Sequence, residues 1–259
     1  MLTFEQIQSY YESGELQGEF QLVEYIQHEI LDSFYKQKGS ENFSFMGGTA
    51  IRIGYGGNRF SEDLDFDNFG SSFDEFKDIV KQTLKDLESK GFKTEYKFVK
   101  KGAFHCYIKF PNILYENDLS PHKQEKILVR IDTVEKDQLF QTNSFTVDKF
   151  DIFREIIINP KDIILSQKLI TILDRNRTLG RDFYDVMFLQ GKSDPNFKYI
   201  EQKLNISKDE FIDNFIEQCG EFDYKKLADD VKPLLLNPEQ SERILKFQDY
   251  MTQKLESYL

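Results

Sequence analysis

Two short motifs in the first quarter of the chain carry the residue types that metal and phosphate chemistry requires. Gly47 and Gly48 follow the apolar segment 43–46. Two glycines let a chain turn sharply and let a ligand approach the backbone closely. Asp63 and Asp65 lie two residues apart in a second apolar segment, and side chains two apart in an extended strand point to the same face. Paired hard oxygen ligands near such a turn are suited to Mg²⁺ that carries a nucleoside triphosphate.

The segment after the glycines predicts a short helix over about residues 50–55, with Thr49 as its N-cap. The free N–H groups and the dipole at the start of such a helix favour a phosphate. The turn is not a Walker A loop, because no Lys-Ser/Thr pair follows the glycines. Alone, a Gly-Gly turn is usually only a turn, and an Asp-x-Asp strand is more often a solvated edge. Their order, about fifteen residues apart, favours a functional site.

The two motifs resemble those of the nucleotidyltransferase superfamily typified by DNA polymerase beta. In that superfamily a glycine turn and a helix are followed by Asp-x-Asp on the next strand. More narrowly, the segments 47–52, 59–66 and 181–186 are similar to the AbiEii family of toxins from bacterial type IV toxin–antitoxin pairs. The resemblance covers roughly residues 40 to 190. Ile51 is a small departure, because the glycine motif of the family more often has leucine there.

The resemblance implies that the chain binds an NTP together with Mg²⁺. The glycines would seat the triphosphate, and Asp63 and Asp65 would hold the metal ion. Arg59 and Ser61 would bond phosphate oxygens, Arg59 through its charge. The residues expected to contact the nucleotide are Gly47, Gly48, Thr49, Arg52, Arg59, Ser61 and Lys168.

Two later segments supply further catalytic candidates through the same resemblance. Lys168 stands where the family has a functional lysine, and its expected role is to neutralise charge on the phosphates or on the leaving pyrophosphate. Asp182 and Asp185 stand where the family has a late acidic motif, and the sequence does not decide between them. The alternatives are a surface lysine and an N-terminal helical turn that favours acidic residues.

A third carboxylate is predicted at the end of a later strand. In the segment 126–133 the apolar residues Ile127, Val129 and Ile131 share one face of the predicted strand. The other face carries Leu128, Arg130 and Asp132. In the superfamily that the chain resembles, a later strand often supplies a carboxylate beside the first two. Asp132 is therefore expected to complete the metal site or to act as general base on the incoming hydroxyl. The alternative is a strand-end aspartate that serves the following turn. None of the three histidines is assigned a catalytic role.

Composition sets bounds on the class of protein. A chain of 259 residues with 39% hydrophobic and 31% charged residues can build an ample globular core. It lacks an apolar run of about eighteen residues, so neither a transmembrane helix nor a membrane partner is expected. The first 21 residues contain no basic residue and do not form a secretory signal. Cys106 and Cys219 lack metal-type spacing and are expected to be reduced, buried thiols of a cytoplasmic protein.

The charge pattern is uneven along the chain. A net charge of −11 argues against a generally basic surface for nucleic acid. The segment 161–181 nevertheless contains five basic residues against two acidic ones. This favours a focused basic cleft on an acidic body, as an enzyme for a polyanionic substrate needs. The alternative is a solvated helix face.

The predicted fold class is α+β. Residues 1–160 are expected to form a nucleotidyltransferase-like domain with a mixed sheet and flanking helices, and residues 161–259 a helical bundle. Helices are predicted at about 3–12, 20–37, 73–89, 161–175 and 181–189, and strands at 43–46, 63–66, 93–100, 103–110 and 126–133.

Nucleotidyl transfer is the function that these residues and the resemblance favour. An acceptor hydroxyl would attack the α-phosphate of an NTP, and pyrophosphate would leave. The expected acceptor is the 3′ end of tRNA, because some members of the AbiEii family add nucleotides there, and a cognate antitoxin is an expected partner. Two alternatives stay open: transfer to a protein hydroxyl, and a nucleotide-binding or antitoxin-docking module without turnover.

Overall fold

The acidic motif lies in the middle of a seven-stranded mixed sheet. In the computed structural model, which describes residues 1–12, 18–175 and 177–259, the strands run in chain order as β1 (Phe43–Met46), β2 (Leu64–Asn68), β3 (Glu95–Lys101), β4 (Ala103–Pro111), β5 (Lys126–Glu135), β6 (Asn143–Lys149) and β7 (Ile152–Ile158). Their order across the sheet is β3-β4-β5-β2-β1-β7-β6. Strand β2 pairs parallel with β5 and antiparallel with β1, so the acidic segment has a neighbour on each side.

Helices flank the sheet and make up most of the rest of the chain. The helices are α1 (Phe4–Gln8), α2 (Gly18–Tyr35), α3 (Gly47–Tyr55), α4 (Phe73–Ser89), α5 (Ile113–Glu116), α6 (Lys161–Asp174), α7 (Gly180–Gln190), α8 (Phe197–Leu204), α9 (Lys208–Cys219), α10 (Tyr224–Val231) and α11 (Phe247–Glu256). Three short 3₁₀ helices cover Ser40–Asn42, Lys232–Leu234 and Pro238–Lys246. The mixed sheet with flanking helices confirms the predicted α+β class.

The chain divides into two compact units. The first consists of Met1–Gly56, Phe60–Gln138 and Thr142–Ile158, and it contains the whole sheet. The second consists of Gly57–Arg59, Leu139–Gln141 and Asn159–Leu259, and its helices are α6 to α11. Two short segments from within residues 1–160 are thus counted with the second unit. The division into domains of residues 1–160 and 161–259 stays a prediction.

The core of the first unit is built where α2 and α4 cover one face of the sheet. The rings of Phe34 on α2 and Phe66 on β2 stack with their centroids 4.9 Å apart. Phe76 on α4 lies 6.0 Å from Phe43 and 6.0 Å from Phe104. Burying rings of this size supplies much of the hydrophobic stabilisation of a core. Helix α4 begins with a capping box from Ser72, which fixes its start.

Helix α2 also buries charged side chains, and each has a partner. Glu24 accepts a hydrogen bond from Arg52 Nε at 2.8 Å and forms an ion pair with Lys149 Nζ at 2.8 Å. Burial by itself would raise the pKa of Glu24, but the two cations outweigh it and lower that pKa to about 2. Arg52 is therefore engaged inside the first unit, and its predicted contact with a nucleotide stays a prediction.

The sequence did not predict the hairpin of β6 and β7. Strand β6 lies at the edge of the sheet and buries only Val147, so its alternation is weak. The turn between the strands places Phe150 and Asp151 at φ of 58° and 59°. Two-residue hairpin turns with both residues at positive φ usually carry Asn-Gly or Asp-Gly, and this one lacks that signal.

Candidate active site

The glycine turn lies directly against the acidic strand. Gly47 has a φ of +77°, a conformation that side chains rarely adopt, and a Cβ at this position would collide with the carboxylate of Asp65. Position 47 therefore requires glycine for two independent reasons. Helix α3 begins here, three residues earlier than predicted, and its N-cap is Met46.

The predicted capping role of Thr49 is wrong. Because α3 begins at Gly47, Thr49 is its third residue, and Met46 makes no side-chain capping bond. The Thr49 hydroxyl instead donates a hydrogen bond to the carbonyl oxygen of Asp63. This bond ties the first turn of α3 to the start of the acidic strand.

The three predicted carboxylates are brought to one region of the sheet. Asp63 directly precedes β2, and Asp65 lies two residues further along. Leu64 and Phe66 are buried, so the acidic and apolar side chains point to opposite faces as predicted. In the parallel pairing of β2 with β5, Asp65 lies opposite Asp132. Two positions far apart in the sequence thus become neighbours on adjacent strands.

An arginine and a histidine hold two of these carboxylates. Arg130 Nη2 donates to Asp63 Oδ2 at 2.7 Å, and Arg130 Nε forms an ion pair with Asp132 Oδ2 at 2.7 Å. His105 Nδ1 lies 2.7 Å from Asp132 Oδ1. Sequence reasoning did not predict the bridging position of Arg130 or the contact of His105. The alternation along 126–132 contained the signal for Arg130, because residues two apart on a strand share a face.

The electrostatics of this cluster are unbalanced toward negative charge. Burial raises the pKa of Asp63, and the neighbouring Asp132 adds to that rise, while Arg130 opposes it. Burial would lower the pKa of the Arg130 guanidinium, but Asp63 and Asp132 outweigh it and raise that pKa. Arg130 thus faces the carboxylates of Asp63 and Asp132 at once, so these two acids outnumber the guanidinium that they share. Such a cluster attracts a cation.

Asp67 continues the acidic face of β2, and sequence reasoning missed it. Its side chain is fully buried and forms an ion pair with Lys136, whose side chain is 19% exposed. The signal was available in the sequence, because aspartates alternate at positions 63, 65 and 67. Complete burial distinguishes Asp67 from Asp63, whose side chain is 30% exposed.

The donor set is compatible with one mode of magnesium binding. In the described part of the chain, no three or more His, Cys, Asp or Glu side chains are grouped to hold a metal ion. Mg²⁺, however, is commonly bound by one or two carboxylates together with substrate phosphates. Asp63 and Asp65, which lie beside the glycine turn at the start of α3, fit that mode.

The later candidates form a separate ion-pair network within the second unit. Arg59 donates from Nε and Nη2 to the two carboxylate oxygens of Asp185, at 2.6 Å and 2.7 Å. Lys168 Nζ lies 2.8 Å from Asp182 Oδ1 and 2.8 Å from Asp185 Oδ2. Arg175 pairs with Asp182. The sequence-predicted residues of α6 and α7 therefore do meet, and Arg59 joins them.

Both carboxylates of this network are buried and paired with cations. The side chains of Asp185 and Asp182 are 1% and 3% exposed, and that of Lys168 is 13% exposed. Burial would raise the pKa of Asp185, but Arg59 and Lys168 outweigh it and lower that pKa. Burial would lower the pKa of Lys168, but the two aspartates raise it. The contacts of Arg59 and Lys168 with phosphate therefore stay predictions, and any phosphate would have to compete with these carboxylates.

Local packing explains how α7 presents its acidic residues. A Cβ at Gly180 would collide with the carbonyl oxygen of Leu227 on α10, so the helix begins with a residue that permits close approach. The Gly180 N–H donates to Asp230 at 2.8 Å.

Ser61, another predicted phosphate contact, precedes Asp63 in the first unit, and its carbonyl accepts a bond from Gln27 at 2.7 Å. Its hydroxyl contact with a nucleotide stays a prediction.

Two further predictions concern membrane-spanning helices and the two cysteines. Within the residues that the structure covers, helices fall short of the length and apolar character that a bilayer span demands. Cys106 and Cys219 are both buried free thiols, as predicted, and burial raises the pKa of Cys106 to about 12. A thiol that stays protonated is not a nucleophile at neutral pH.

Solved structures share this architecture. A crystal structure of JHP933 from Helicobacter pylori superposes with a TM-score of 0.59 at 18% identity, covering 94% of this chain and 96% of that one. A putative nucleotidyltransferase from H. pylori gives a TM-score of 0.56 at 17% identity, covering 94% and 99%. MenT4, a nucleotidyltransferase toxin from Mycobacterium tuberculosis H37Rv, gives 0.57 at 14% identity, covering 97% and 90%. At these identities the likeness is one of fold.

Sequence comparison supplies the family. No curated protein matches the chain. The model of the family described as nucleotidyl transferase AbiEii toxin, type IV toxin–antitoxin system, matches residues 29–257, which include the glycine turn and every predicted site residue. The match confirms the resemblance in the motifs and extends it beyond residue 190. The chain therefore belongs to the AbiEii family of nucleotidyltransferase toxins.

Proposed function

We propose that this toxin transfers a nucleotide from an NTP to the 3′ end of tRNA in a Mg²⁺-dependent reaction, with the reaction centre in the first unit. The observation that carries the proposal is the contact between the glycine turn and the carboxylates. Gly47 lies against Asp65, and Asp65 lies beside Asp132 on the adjacent strand. A phosphate-binding turn and a group of acidic ligands therefore adjoin each other.

In the proposed reaction the first turn of α3 receives the triphosphate. Backbone N–H groups at the start of this helix are available to phosphate oxygens. Gly47 and Gly48 leave no side chain between the backbone and the ligand. The hydrogen bond from Thr49 to the Asp63 carbonyl holds this turn at a fixed position relative to the carboxylates.

Asp63 and Asp65 would hold Mg²⁺, which supplies charge neutralisation at the phosphates and orientation of the α-phosphate when bound. Arg130 pairs with Asp63 and Asp132 and can exchange a carboxylate for a phosphate oxygen, since guanidinium binds both groups. Lys136 keeps the buried Asp67 neutralised, so Asp67 supports the strand. The site would thus use the partly exposed carboxylates and leave the buried one in place.

Asp132 is assigned the role of general base or third ligand. Its carboxylate lies beside Asp65, and His105 Nδ1 contacts one of its oxygens at 2.7 Å. A hydrogen bond from histidine would fix the orientation of that carboxylate. Asp132 would then accept the proton of the attacking 3′-hydroxyl as the oxygen approaches the α-phosphate. Pyrophosphate leaves along the opposite direction.

For the second unit we propose that the network of Arg59, Lys168, Asp182 and Asp185 supports the reaction through its charge. Lys168 has the predicted role of neutralising the phosphates or pyrophosphate. Its ammonium already has two carboxylate partners, so this role requires a phosphate to replace one of them. A cognate antitoxin is proposed as a partner. We propose the cytoplasm as the compartment, because NTPs and tRNA are found there.

Purified protein incubated with total tRNA, Mg²⁺ and each α-labelled NTP tests the proposal, beside the Asp65→Asn variant. We expect label in RNA with one or more of the NTPs, and none with the variant. Omission of Mg²⁺ should abolish the label, and its restoration should return it. Label in protein instead of RNA would show that the acceptor is a protein. Label that persists in Asp65→Asn would overturn the assigned site.

A further inference from the structure

The sheet carries a second surface next to the proposed reaction centre. Helix α4 covers one face of β3, β4 and β5, where Phe73 and Phe76 contact Phe98 and Phe104. The residues that alternate with these point to the opposite face. We call that opposite face of the three strands the lysine face. Its five basic side chains are Lys97, Lys101, Lys109, Lys126 and Arg130, and its two acidic ones are Glu95 and Asp132.

The local charge of this face is opposite to that of the whole chain, whose net charge is −11. Lys97 and Lys109 are exposed, and neither forms an ion pair with any residue that the structure describes. Lys126, by contrast, pairs with Glu95 at 2.8 Å. Exposed lysines gathered on one face of an acidic protein favour a polyanionic partner.

The strand register leads from these lysines to the carboxylates. Lys97 lies opposite Tyr107, and Tyr107 lies opposite Arg130. Arg130 in turn donates to Asp63 at 2.7 Å. A row of four side chains thus runs across the sheet, from an exposed lysine to the first of the predicted metal ligands.

Tyr107 separates two depressions along this row. One, of about 380 Å³, is lined by Lys97, Val99 and Lys109 among others. The other, of about 350 Å³, is lined by Leu128, Arg130 and Asp63 among others. The tyrosine ring contributes to both, so a planar group can lie against it on the way to Asp63.

We infer that the lysine face binds the single-stranded 3′ end of the RNA acceptor. The inference rests on the proposed function, and it names the surface that holds this substrate. Lys97 and Lys109 contact phosphates as point charges, and a base stacks on Tyr107. Positively charged surfaces with aromatic side chains bind single strands in this way, because unpaired bases are free to stack. A duplex keeps its bases stacked on one another and offers none to Tyr107.

Binding of a labelled single-stranded RNA dodecamer, measured by fluorescence anisotropy without Mg²⁺ and NTP, tests the inference. We expect Lys97→Glu/Lys109→Glu to weaken binding at least tenfold. The slope of log affinity against log salt concentration should fall by roughly 1.4, since each phosphate contact on a single strand contributes about 0.7. Tyr107→Ala should weaken binding, and Tyr107→Phe, which keeps the ring, should largely restore it.

The matched control is Lys38→Glu/Lys85→Glu, which makes the same change in net charge at two exposed lysines outside this face. NTP binding by the Lys97→Glu/Lys109→Glu variant should equal that of the wild type, which shows that it is folded. Equal RNA binding by the test and control variants would overturn the inference. Equally tight binding of an RNA duplex would also overturn it, as would loss of affinity for an acidic partner protein but not for RNA.

Failure of the inference and failure of the proposed function give different results. If the wild type labels RNA with NTP, while both lysine variants bind RNA alike, only the lysine face is wrong. If the wild type neither binds nor labels RNA, the proposed acceptor is wrong and the inference fails with it.

Discussion

The site aspartates of the first unit and those of the second differ in exposure and in the number of cations around them. In the first unit Asp63 and Asp132 share the guanidinium of Arg130, and their side chains are 30% and 17% exposed. In the second unit Asp182 and Asp185 meet three cations, and both carboxylates are at most 3% exposed. The carboxylates of the first group are thus partly open to solvent. Those of the second group are buried and paired with cations.

This difference separates partly exposed acids that share one guanidinium from buried acids that meet three cations. Uncompensated carboxylates repel one another, and their proximity costs stability unless a cation binds. Buried ion pairs are costly to break, because removing one partner leaves an unpaired charge in the interior. Sites for chemistry are commonly found where charges are left unbalanced. We therefore expect substitutions in the first group to affect catalysis, and those in the second to lower folding stability in addition to any effect on catalysis.

The largest effect expected is the loss of activity in Asp65→Asn. Removing this carboxylate should reduce nucleotidyl transfer on the order of 10³-fold, the scale seen when a group that stabilises the transition state is lost. The free energy of unfolding should change little, because asparagine has nearly the size and shape of aspartate. Label incorporation and denaturant unfolding measure the two quantities. Asp78→Asn on α4, an exposed position, is the control, and equal activity of the two variants would contradict the comparison.

In the second unit, Asp185→Asn should reduce the free energy of unfolding by about 3–5 kcal/mol, the cost of removing one partner from a buried ion pair. Arg59 and Lys168 would lose an ionised partner inside the protein. Urea unfolding measures the loss. Asp209→Asn changes a carboxylate that is 70% exposed and should cost less than about 1 kcal/mol. A small loss for Asp185→Asn, together with a large loss of transfer, would place this aspartate in the catalytic group instead.

The contact between the glycine turn and Asp65 can be tested by Gly47→Ala. The substitution places a Cβ at a φ of +77° and against the Asp65 carboxylate. The conformational cost is about 1–3 kcal/mol, and displacement of Asp65 should in addition lower nucleotidyl transfer. Gly70→Ala is a matched control, because Gly70 has a φ of +96° and nothing within 4 Å of its Cβ. If both variants keep the same activity, the glycine turn does not position Asp65.

The smallest effect is a difference in pH dependence between Asp63→Asn and Asp185→Asn. Because the pKa of Asp63 is raised, its carboxyl keeps its proton in the folded state at pH values above 3.8, where the unfolded chain loses it. The stability that this site contributes to the wild type therefore falls as pH rises from 3.8 through the raised pKa. The lowered pKa of Asp185 contributes stability that is present above pH 3.8 and is lost as pH falls through the lowered value.

The stability difference between wild type and Asp63→Asn should therefore shift in favour of the variant as pH rises above 3.8. The difference between wild type and Asp185→Asn should shift in favour of the wild type as pH rises toward 3.8. Unfolding by urea at several pH values measures both differences. If the two stability differences changed with pH in the same direction, the two aspartates would have similar surroundings, which would contradict the comparison.

Local patterns predicted many of the elements but not all. The strict alternation at 126–133 predicted β5 with its correct faces, and the periodicity at 73–89 predicted α4 with its bounds. The hairpin of β6 and β7 was missed, because an edge strand with one buried residue carries little alternation. The N-cap at Thr49 was wrong because α3 already begins at Gly47 and the Thr49 hydroxyl is engaged by the distant Asp63 carbonyl.

The sequence by itself determined the residue types of the site, their order and the family. Glycine turn, Asp-x-Asp strand and late acidic helix are local patterns, and local spacing on a strand or helix decides which side chains share a face. Only the tertiary structure decided which aspartates are open and which are paired. That outcome depends on contacts between distant segments, such as Arg59 with Asp185 and Arg130 with Asp63, and no local pattern encodes them. Charge pairing across such distances is a property of the packed chain.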